Sequence, residues 1–363
     1  MSERASAVTG RDWKQTIRPY LKWQMAAMLL LGFSSGLPLM MVFSKLSFWL
    51  REVGLDRAEI GGFYAVTLAY SIKWLWAPAV DSVVLPGLSK LGQRRSWMLL
   101  AILGTALGLA LIGLSSPGTN IWPTVIGALI LAYSGATLDI AVDAWRIESA
   151  PDDEQANMAA VYILGYRFAI MFAGFGMVIA GWTSFLVAYL IMAVMMVLIG
   201  TLVFFIHEPE RAQKIHQAER SFLQILRLAV VEPFWQIVAR FGKWVVPVLG
   251  IVALYRISDF TMGVMASPFY VDLGYSRETV GAITGLFGPW PVVAGGFAGG
   301  FAAIRFGLMR TLLAGAVLTV LTNGAFASLA WAAGPELDLA ASGQADVIVN
   351  TPSSTAFIDC VIC

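Results

Sequence analysis

Leu50-Arg-Glu-Val-Gly-Leu-Asp-Arg-Ala-Glu-Ile-Gly61 decides how this chain is built, because a second version of it occurs later. Tyr270-Val-Asp-Leu-Gly-Tyr-Ser-Arg-Glu-Thr-Val-Gly281 follows at a shift of 220 residues, which brings Gly54 onto Gly274, Arg57 onto Arg277 and Gly61 onto Gly281. Each copy comes directly after a long apolar run, the first after the first run and the second after the seventh. Six runs separate the copies, so both have the same orientation. The expected fold is an all-α polytopic membrane protein with a parallel six-span repeat.

The runs around this repeat are Trp23–Ser44, Ile60–Val80, Trp97–Ser116, Ile121–Leu138, Gln155–Gly181, Trp182–Ile206, Trp244–Val271, Thr279–Ile304 and Thr311–Gly334. Each is near or above the ~20 residues that cross ~30 Å of hydrocarbon as a helix. A tenth segment, Leu339–Cys363, is more polar and contains Asp346, Asp359 and Pro352. Only 13% of the 363 residues are charged and 58% are hydrophobic, with a mean hydropathy of +0.74. A soluble domain carries roughly 25% charged residues, and a bilayer is the solvent that accommodates the difference.

Orientation follows from the basic residues. With the N-terminus inside, 17 of the 24 lysines and arginines lie in cytoplasmic segments and only Arg51, Arg57 and Arg277 lie outside. Lys45, Lys73, Arg167 and Arg256 fall inside spans. The expected organisation is a cytoplasmic tail (1–22), a six-helix bundle (23–206), a cytoplasmic central loop (207–243) and a second bundle (244–363). The polar, basic N-terminus reads as that tail, because the apolar run after it is too long for a signal peptide.

The six-plus-six plan is that of the major facilitator superfamily, and particular motifs narrow it. Gly32-Phe-Ser-Ser-Gly-Leu-Pro-Leu39, Ser71-Ile-Lys-Trp-Leu-Trp-Ala-Pro-Ala-Val-Asp81 and Gln93-Arg-Arg-Ser-Trp97 mark the first three spans. Asp139-Ile-Ala-Val-Asp-Ala-Trp-Arg-Ile-Glu148 and Leu164-Gly-Tyr-Arg167 belong to the fourth and fifth, Ala253-Leu-Tyr-Arg-Ile-Ser-Asp259 and Ser267-Pro-Phe-Tyr-Val-Asp-Leu-Gly274 to the seventh. From about Lys22 to about Arg310 the chain resembles the AmpG family of muropeptide permeases. That resemblance implies proton-coupled import of anhydromuropeptides across the bacterial inner membrane, for peptidoglycan recycling. It departs at Thr137-Leu138-Asp139, where the family has glutamine in place of Leu138, so an amide able to bond sugar or peptide is missing. The family has twelve or more spans, so the second bundle is expected to be incomplete. Two other readings therefore stay open: import of another anionic conjugate such as acetyl-CoA, or a truncated protein that does not transport.

An ionisable group on a membrane helix costs several kcal/mol and persists where it meets a cavity or a partner. Arg167 and Arg256 each lie twelve residues into their spans, ~18 Å deep at 1.5 Å per residue. Their guanidinium forks can hold substrate carboxylates bidentately; alternatively each is paired with an acid, for Arg256 the neighbouring Asp259. Asp139 and Asp143 share a helix face at i, i+4 and repel one another, which poises a carboxylate to take up a proton. The alternative is a charge cluster with Arg94, Arg95 or Arg146, and Asp139 is the better proton candidate even though it is expected near the cytoplasmic boundary. Asp259 is a second candidate. Lys73 matches the family lysine and is expected at the cavity or the latch. Asp81 followed by Arg94 and Arg95 resembles the acidic-then-basic gating loop of the superfamily, with Asp143 and Arg146 beside it. Lys45 is expected to snorkel from the outer end of the first span.

No phosphate-binding loop argues for an ATP-driven pump, and no nucleophile–base pair argues for an enzyme. No cofactor, metal or nucleic acid is expected, and the partners implied are a small solute, protons and lipid around a monomer. Cys360 and Cys363 have metal-ligand spacing without a second ligand pair. Ser221–Gly242 alternates apolar and basic residues as an amphipathic surface helix would. His207 and His216 read as solvated.

Overall fold

The computed structural model describes residues 20, 22–149, 151, 154–209 and 266–332, with scattered positions between 235 and 250. Among these the secondary structure is helical, apart from one isolated bridge between Ser116 and Asn120. Helix α1 (Trp23–Glu52) has 30 residues and is not uniform. Pro38 interrupts its ladder, and the following segment Met41–Leu46 is wound as a π-turn. Proline supplies no amide hydrogen, and π-turns leave carbonyls weakly engaged. The buried Tyr189 hydroxyl donates to one of them, Met41 O, at 3.1 Å.

The second span departs most from expectation. Instead of one continuous helix, α2 is a chain of short pieces from Arg57–Phe63 through Tyr64–Thr67, Leu68–Ile72 and Lys73–Leu75 to Ala77–Ser82. Pro78 stands in the first turn of the last piece. There it needs no amide hydrogen, but its ring displaces the carbonyl four residues earlier, so the backbone tightens to a 3₁₀ turn at Lys73–Leu75.

The next four helices are long: α3 (Gln93–Leu114), α4 (Trp122–Ser149), α5 (Gln155–Trp182) and α6 (Phe185–Gly200, continued as the 3₁₀ turn Thr201–Phe204). After the central loop come α7 (266–272 of it described), α8 (Arg277–Ala282, a π-turn at Ile283–Phe287, then Pro289–Phe306) and α9 (Leu308–Ala332). Helix α4 runs ten residues past Asp139. The aspartate itself is packed inside the bundle, against Lys73 of α2. Five helices, α1 and α3–α6, are by length and composition long and apolar enough to cross a membrane. Large apolar side chains such as Leu100, Leu103, Leu107, Ile126, Val194 and Leu198 face outward, as lipid contact requires.

Helix α3 packs on α4 and α6, α1 on α5, and α5 on α8. Small residues permit these approaches, as they do between membrane helices generally. A Cβ on Gly165 would meet Leu29 O of α1, and one on Gly32 would meet Tyr162 O of α5. Between α5 and α8, Gly174 faces Gly281 and Gly285 backbone to backbone.

The duplicated motif is duplicated in its hydrogen bonds. Leu55 N reaches Leu50 O at 3.1 Å and Gly54 N reaches Arg51 O at 3.0 Å; Tyr275 N reaches Tyr270 O at 3.0 Å and Gly274 N reaches Val271 O at 2.9 Å. Each is a Schellman closure with a left-handed glycine, at φ 95° for Gly54 and 78° for Gly274. Asp56 and Ser276 then cap the following helices, accepting from Glu59 N at 2.7 Å and Thr279 N at 3.3 Å.

Candidate functional site

Three groups of polar side chains stand out, one near the bundle centre and one at each end. The central group is built from α1, α2, α4 and α5. Lys73 Nζ donates to Asp139 Oδ2 at 3.1 Å. The Asp139 carboxylate is 14% exposed, and its other oxygen, Oδ1, has no hydrogen-bond partner among the described residues. The buried Tyr70 hydroxyl and Ser35 Oγ are likewise without partners. Tyr70 reaches inward because Gly135, one turn before Asp139, leaves room for its hydroxyl. Ser35 lies between the Asp139 carboxylate and Tyr162, and Tyr166 completes the ring. Trp76 Nε1 donates to Thr137 Oγ1 at 3.1 Å on the rim.

Most buried polar atoms in proteins are satisfied. Three orphaned oxygens converging from three helices therefore describe a site that gains hydrogen bonds when a proton, water or polar ligand arrives. Arg167, one residue past Tyr166, is half-buried and makes no ion pair or hydrogen bond with a described residue. Leu138, next to Asp139 on α4, is fully buried in the apolar core.

At the end of the bundle where α2 meets α3, Arg94 is almost fully buried. It bonds Asp81 at 2.6 Å and forks onto Glu148 at 2.6 and 3.0 Å. Glu208 caps α3 by accepting from Arg94 N at 2.8 Å and Arg95 N at 3.1 Å, a carboxylate at the positive end of the helix dipole. The Arg95 side chain donates to the carbonyls of Val203 and Phe204 at 2.8 and 2.9 Å, and Trp145 Nε1 to His207 O at 2.9 Å. Among the described residues Asp143 pairs within its own helix, with Arg146 at 3.3 Å. Thus Asp139 and Asp143 do not join Arg94 or Arg95, because the helix turns Asp139 toward Lys73 and leaves Asp143 on the outer rim. The two acids that complete the cluster, Glu148 and Glu208, were not singled out by sequence reading. Glu148 closes the quoted Asp139–Glu148 motif, and that was the available signal. All these partners lie in α2, α3, α4 and the end of α6.

At the opposite end the two halves of the repeat exchange ion pairs. Asp272 of α7 receives Arg51 at 2.5 Å and Arg57 at 2.7 and 3.0 Å. Arg277 forks onto Glu52 at 2.6 to 2.9 Å, donates to Ala180 O at 3.0 Å, and lies 4.5 Å from the centre of the Phe185 ring. At the 220-residue shift Glu52 is the counterpart of Asp272, and Arg57 of Arg277, so each half supplies the arginine for the acid of the other. Ser44 and Ser267 hydroxyls are 3.0 Å apart on the same seam. Lys45 does not snorkel: it is 5% exposed and donates to Thr284 Oγ1 of α8 at 3.2 Å.

The family model of the Major Facilitator Superfamily matches residues 28–358. The chain is 30% identical over 308 residues to the protein named putative transporter AmpG 4 of Rickettsia felis, an alignment that covers 84% of this chain and 73% of that one. The chain belongs to the AmpG family of the major facilitator superfamily. The anhydromuropeptide permease of Escherichia coli K12 is 29% identical over 319 residues, covering 86% of this chain and 62% of the permease. Putative transporter AmpG 3 of Rickettsia prowazekii is 26% identical over 323 residues, with 86% and 75% covered. AmpG-family membership makes this a multi-pass membrane protein of a transporter class.

Within that frame, the described residues bring together Lys73 with Asp139, Asp81 with Arg94, and Asp143 with Arg146. Arg256 and Asp259 lie outside the described residues, as do Cys360, Cys363 and the Ser221–Phe234 part of the amphipathic segment. Among the described residues no group of three or more histidine, cysteine or acidic side chains could hold a metal ion.

Proposed function

We propose that this chain imports anhydromuropeptides from periplasm to cytoplasm by proton symport, as two bundles (23–206 and 244–363) acting as a monomer with the N-terminus in the cytoplasm. The name of the Escherichia coli relative supports the substrate class. The central polar group carries the mechanism: Asp139 has one oxygen on Lys73 and the other without a hydrogen-bond partner among the described residues. A proton on Oδ1 neutralises the carboxylate and frees Lys73 to meet an anionic group of the substrate. Deprotonation restores the Lys73–Asp139 pair and expels that group. Arg167, next to Tyr166 on α5, supplies a second cation able to hold a carboxylate as a fork.

In this orientation the Arg94 cluster is cytoplasmic and the exchanged ion pairs are periplasmic, so the conformation is closed to the outside. The Arg94 cluster then stiffens the cytoplasmic end of the first bundle. The exchanged pairs form the outer gate. Uptake of labelled anhydromuropeptide into cells that lack their own permease tests the whole reading. Accumulation that collapses with an uncoupler is expected. Absence of uptake, with acetyl-CoA carried instead, would replace the substrate; accumulation indifferent to the uncoupler would remove the proton.

A further inference from the structure

Among the described residues Lys45 is a buried cation with no acid beside it. It sits on the π-turn of α1 and reaches across to Thr284, on the π-turn of α8. Thr284 spends its own hydrogen on Val280 O at 2.6 Å, so toward Lys45 it is a neutral acceptor only. An ammonium has three donors, and one of them is used here among the described residues. No described acid at that end is free to help. Asp272 and Glu52 are held by arginines. Asp56 and Glu59 bond one another's amides at the start of α2, and Glu278 is held by its own backbone and Ser276.

Position gives this lysine a use. It lies seven residues below Glu52 on α1, roughly 10 Å from the outer ion pairs, and ten residues above Ser35, roughly 15 Å from the central group. Among the described residues, Lys45–Thr284 and Ser44–Ser267 are hydrogen bonds that cross the seam at this level. The hydroxyl pair contributes about 1 kcal/mol net and the ammonium–hydroxyl bond about 1.5–3 kcal/mol, and among the described residues neither acid nor arginine reinforces them here, so the layer can part once the ion pairs above it open. Parting α1 from α8 leaves the ammonium on the wall of the opening with all three donors free.

We infer that Lys45 contacts the anionic group of the substrate on the outer access path, and is withdrawn against Thr284 when the outer end closes. It determines specificity for a carboxylate on the way to Lys73 and Arg167. The inference rests on the importer reading and its orientation, so its test has one arm that needs no substrate. In a chain with Cys360→Ser and Cys363→Ser, Lys45→Cys is exposed from the periplasmic side to a membrane-impermeant thiol reagent. Labelling is expected to be slow with the ion pairs intact and at least several-fold faster with Arg277→Glu; no labelling in either background overturns the inference. The second arm measures uptake kinetics. Lys45→Met is expected to raise KM about tenfold, the loss of one charge-assisted bond, with Vmax little changed, while Lys45→Arg stays near wild type. For a substrate with its carboxylates amidated the Met variant and wild type should coincide. An unchanged KM, a fall in Vmax alone, or the same KM rise for the amidated substrate assigns Lys45 to seam packing instead. If the unaltered chain takes up no muropeptide, the importer reading fails, and labelling alone decides whether Lys45 lines the outer path.

Discussion

At the scale of single residues, the ionic clusters around Asp139 and Arg94 have opposite characters, and their variants should fail differently. Asp139 is under-satisfied, with Lys73 on one oxygen and no hydrogen-bond partner on the other among the described residues. Asp139→Asn keeps the shape and removes the proton site. Uncoupler-sensitive accumulation should vanish while downhill exchange of preloaded substrate persists; loss of both would assign Asp139 to structure. Arg167→Ala should raise the KM for uptake roughly ten- to a hundredfold, the value of a charge-assisted bond of about 1.5–3 kcal/mol, with the amount of membrane-inserted protein unchanged. Arg94 is the over-determined case. Its side chain is 4% exposed and Glu148 is 12% exposed, whereas Asp81 is 49% exposed. Removing one partner of a buried pair costs about 3–5 kcal/mol because the other charge is stranded, and an exposed pair is worth under about 1 kcal/mol. In detergent, Arg94→Ala should therefore lower the melting temperature far more than Asp81→Asn, and Arg94→Met with Glu148→Gln should recover much of the loss. Equal effects of Arg94→Ala and Asp81→Asn would show that Glu148 is not the anchor.

At the scale of elements, the duplicated loop offers a controlled comparison. Gly54 and Gly274 hold the same left-handed conformation, and a Cβ added at either would meet nothing within 4 Å. Gly54→Ala and Gly274→Ala should each cost about 1–2 kcal/mol, from backbone conformation alone, and the melting shifts should match. Gly165→Ala is different in kind, because its Cβ would run into Leu29 O and force α1 from α5; its shift should exceed both. Much of this was legible in the sequence. The paired glycines and the Asp139–Glu148 motif appear where the text of the chain put them, and the first and the third to sixth apolar runs are helices long and apolar enough to cross a membrane. What was not legible depends on packing. The second span reads as one apolar run, yet Pro78 and the neighbouring 3₁₀ turns divide it. The fourth run ends on hydropathy at Leu138, but the helix continues to Ser149 because Trp145 and Glu148 are engaged by His207 and Arg94. Lys45 reads as a snorkelling residue, since nothing local reveals that Thr284, 239 positions away, covers it.

At the scale of the molecule, the repeat does more than duplicate a fold, because it makes the two halves complementary at one end. Equivalent residues cannot pair with themselves across the seam, since acid would meet acid; an acid and an arginine five residues apart in both copies solve this by crossing over. Arg57 meets Asp272 while Arg277 meets Glu52. Neither pairing was visible from charge counting, which treats the three outer arginines as loop residues. A seam held this way should depend on the sign of each partner and not on which half carries it. Ser44→Cys with Ser267→Cys, in a chain with Cys360→Ser and Cys363→Ser, reports closure, because the native hydroxyls are 3.0 Å apart. Arg277→Glu places a carboxylate opposite Glu52 and should lower the disulfide yield and stall uptake. Adding Glu52→Arg reverses the pair and should restore cross-linking, with uptake recovering in part because Ala180 O and the Phe185 ring lose their guanidinium. If the single reversal cross-links as well as the unaltered pair, the arginines do not hold the seam, and closure rests on the glycine contact between α5 and α8. Gly174→Leu would then be the variant that opens it, since any side chain there meets the backbone of Gly285.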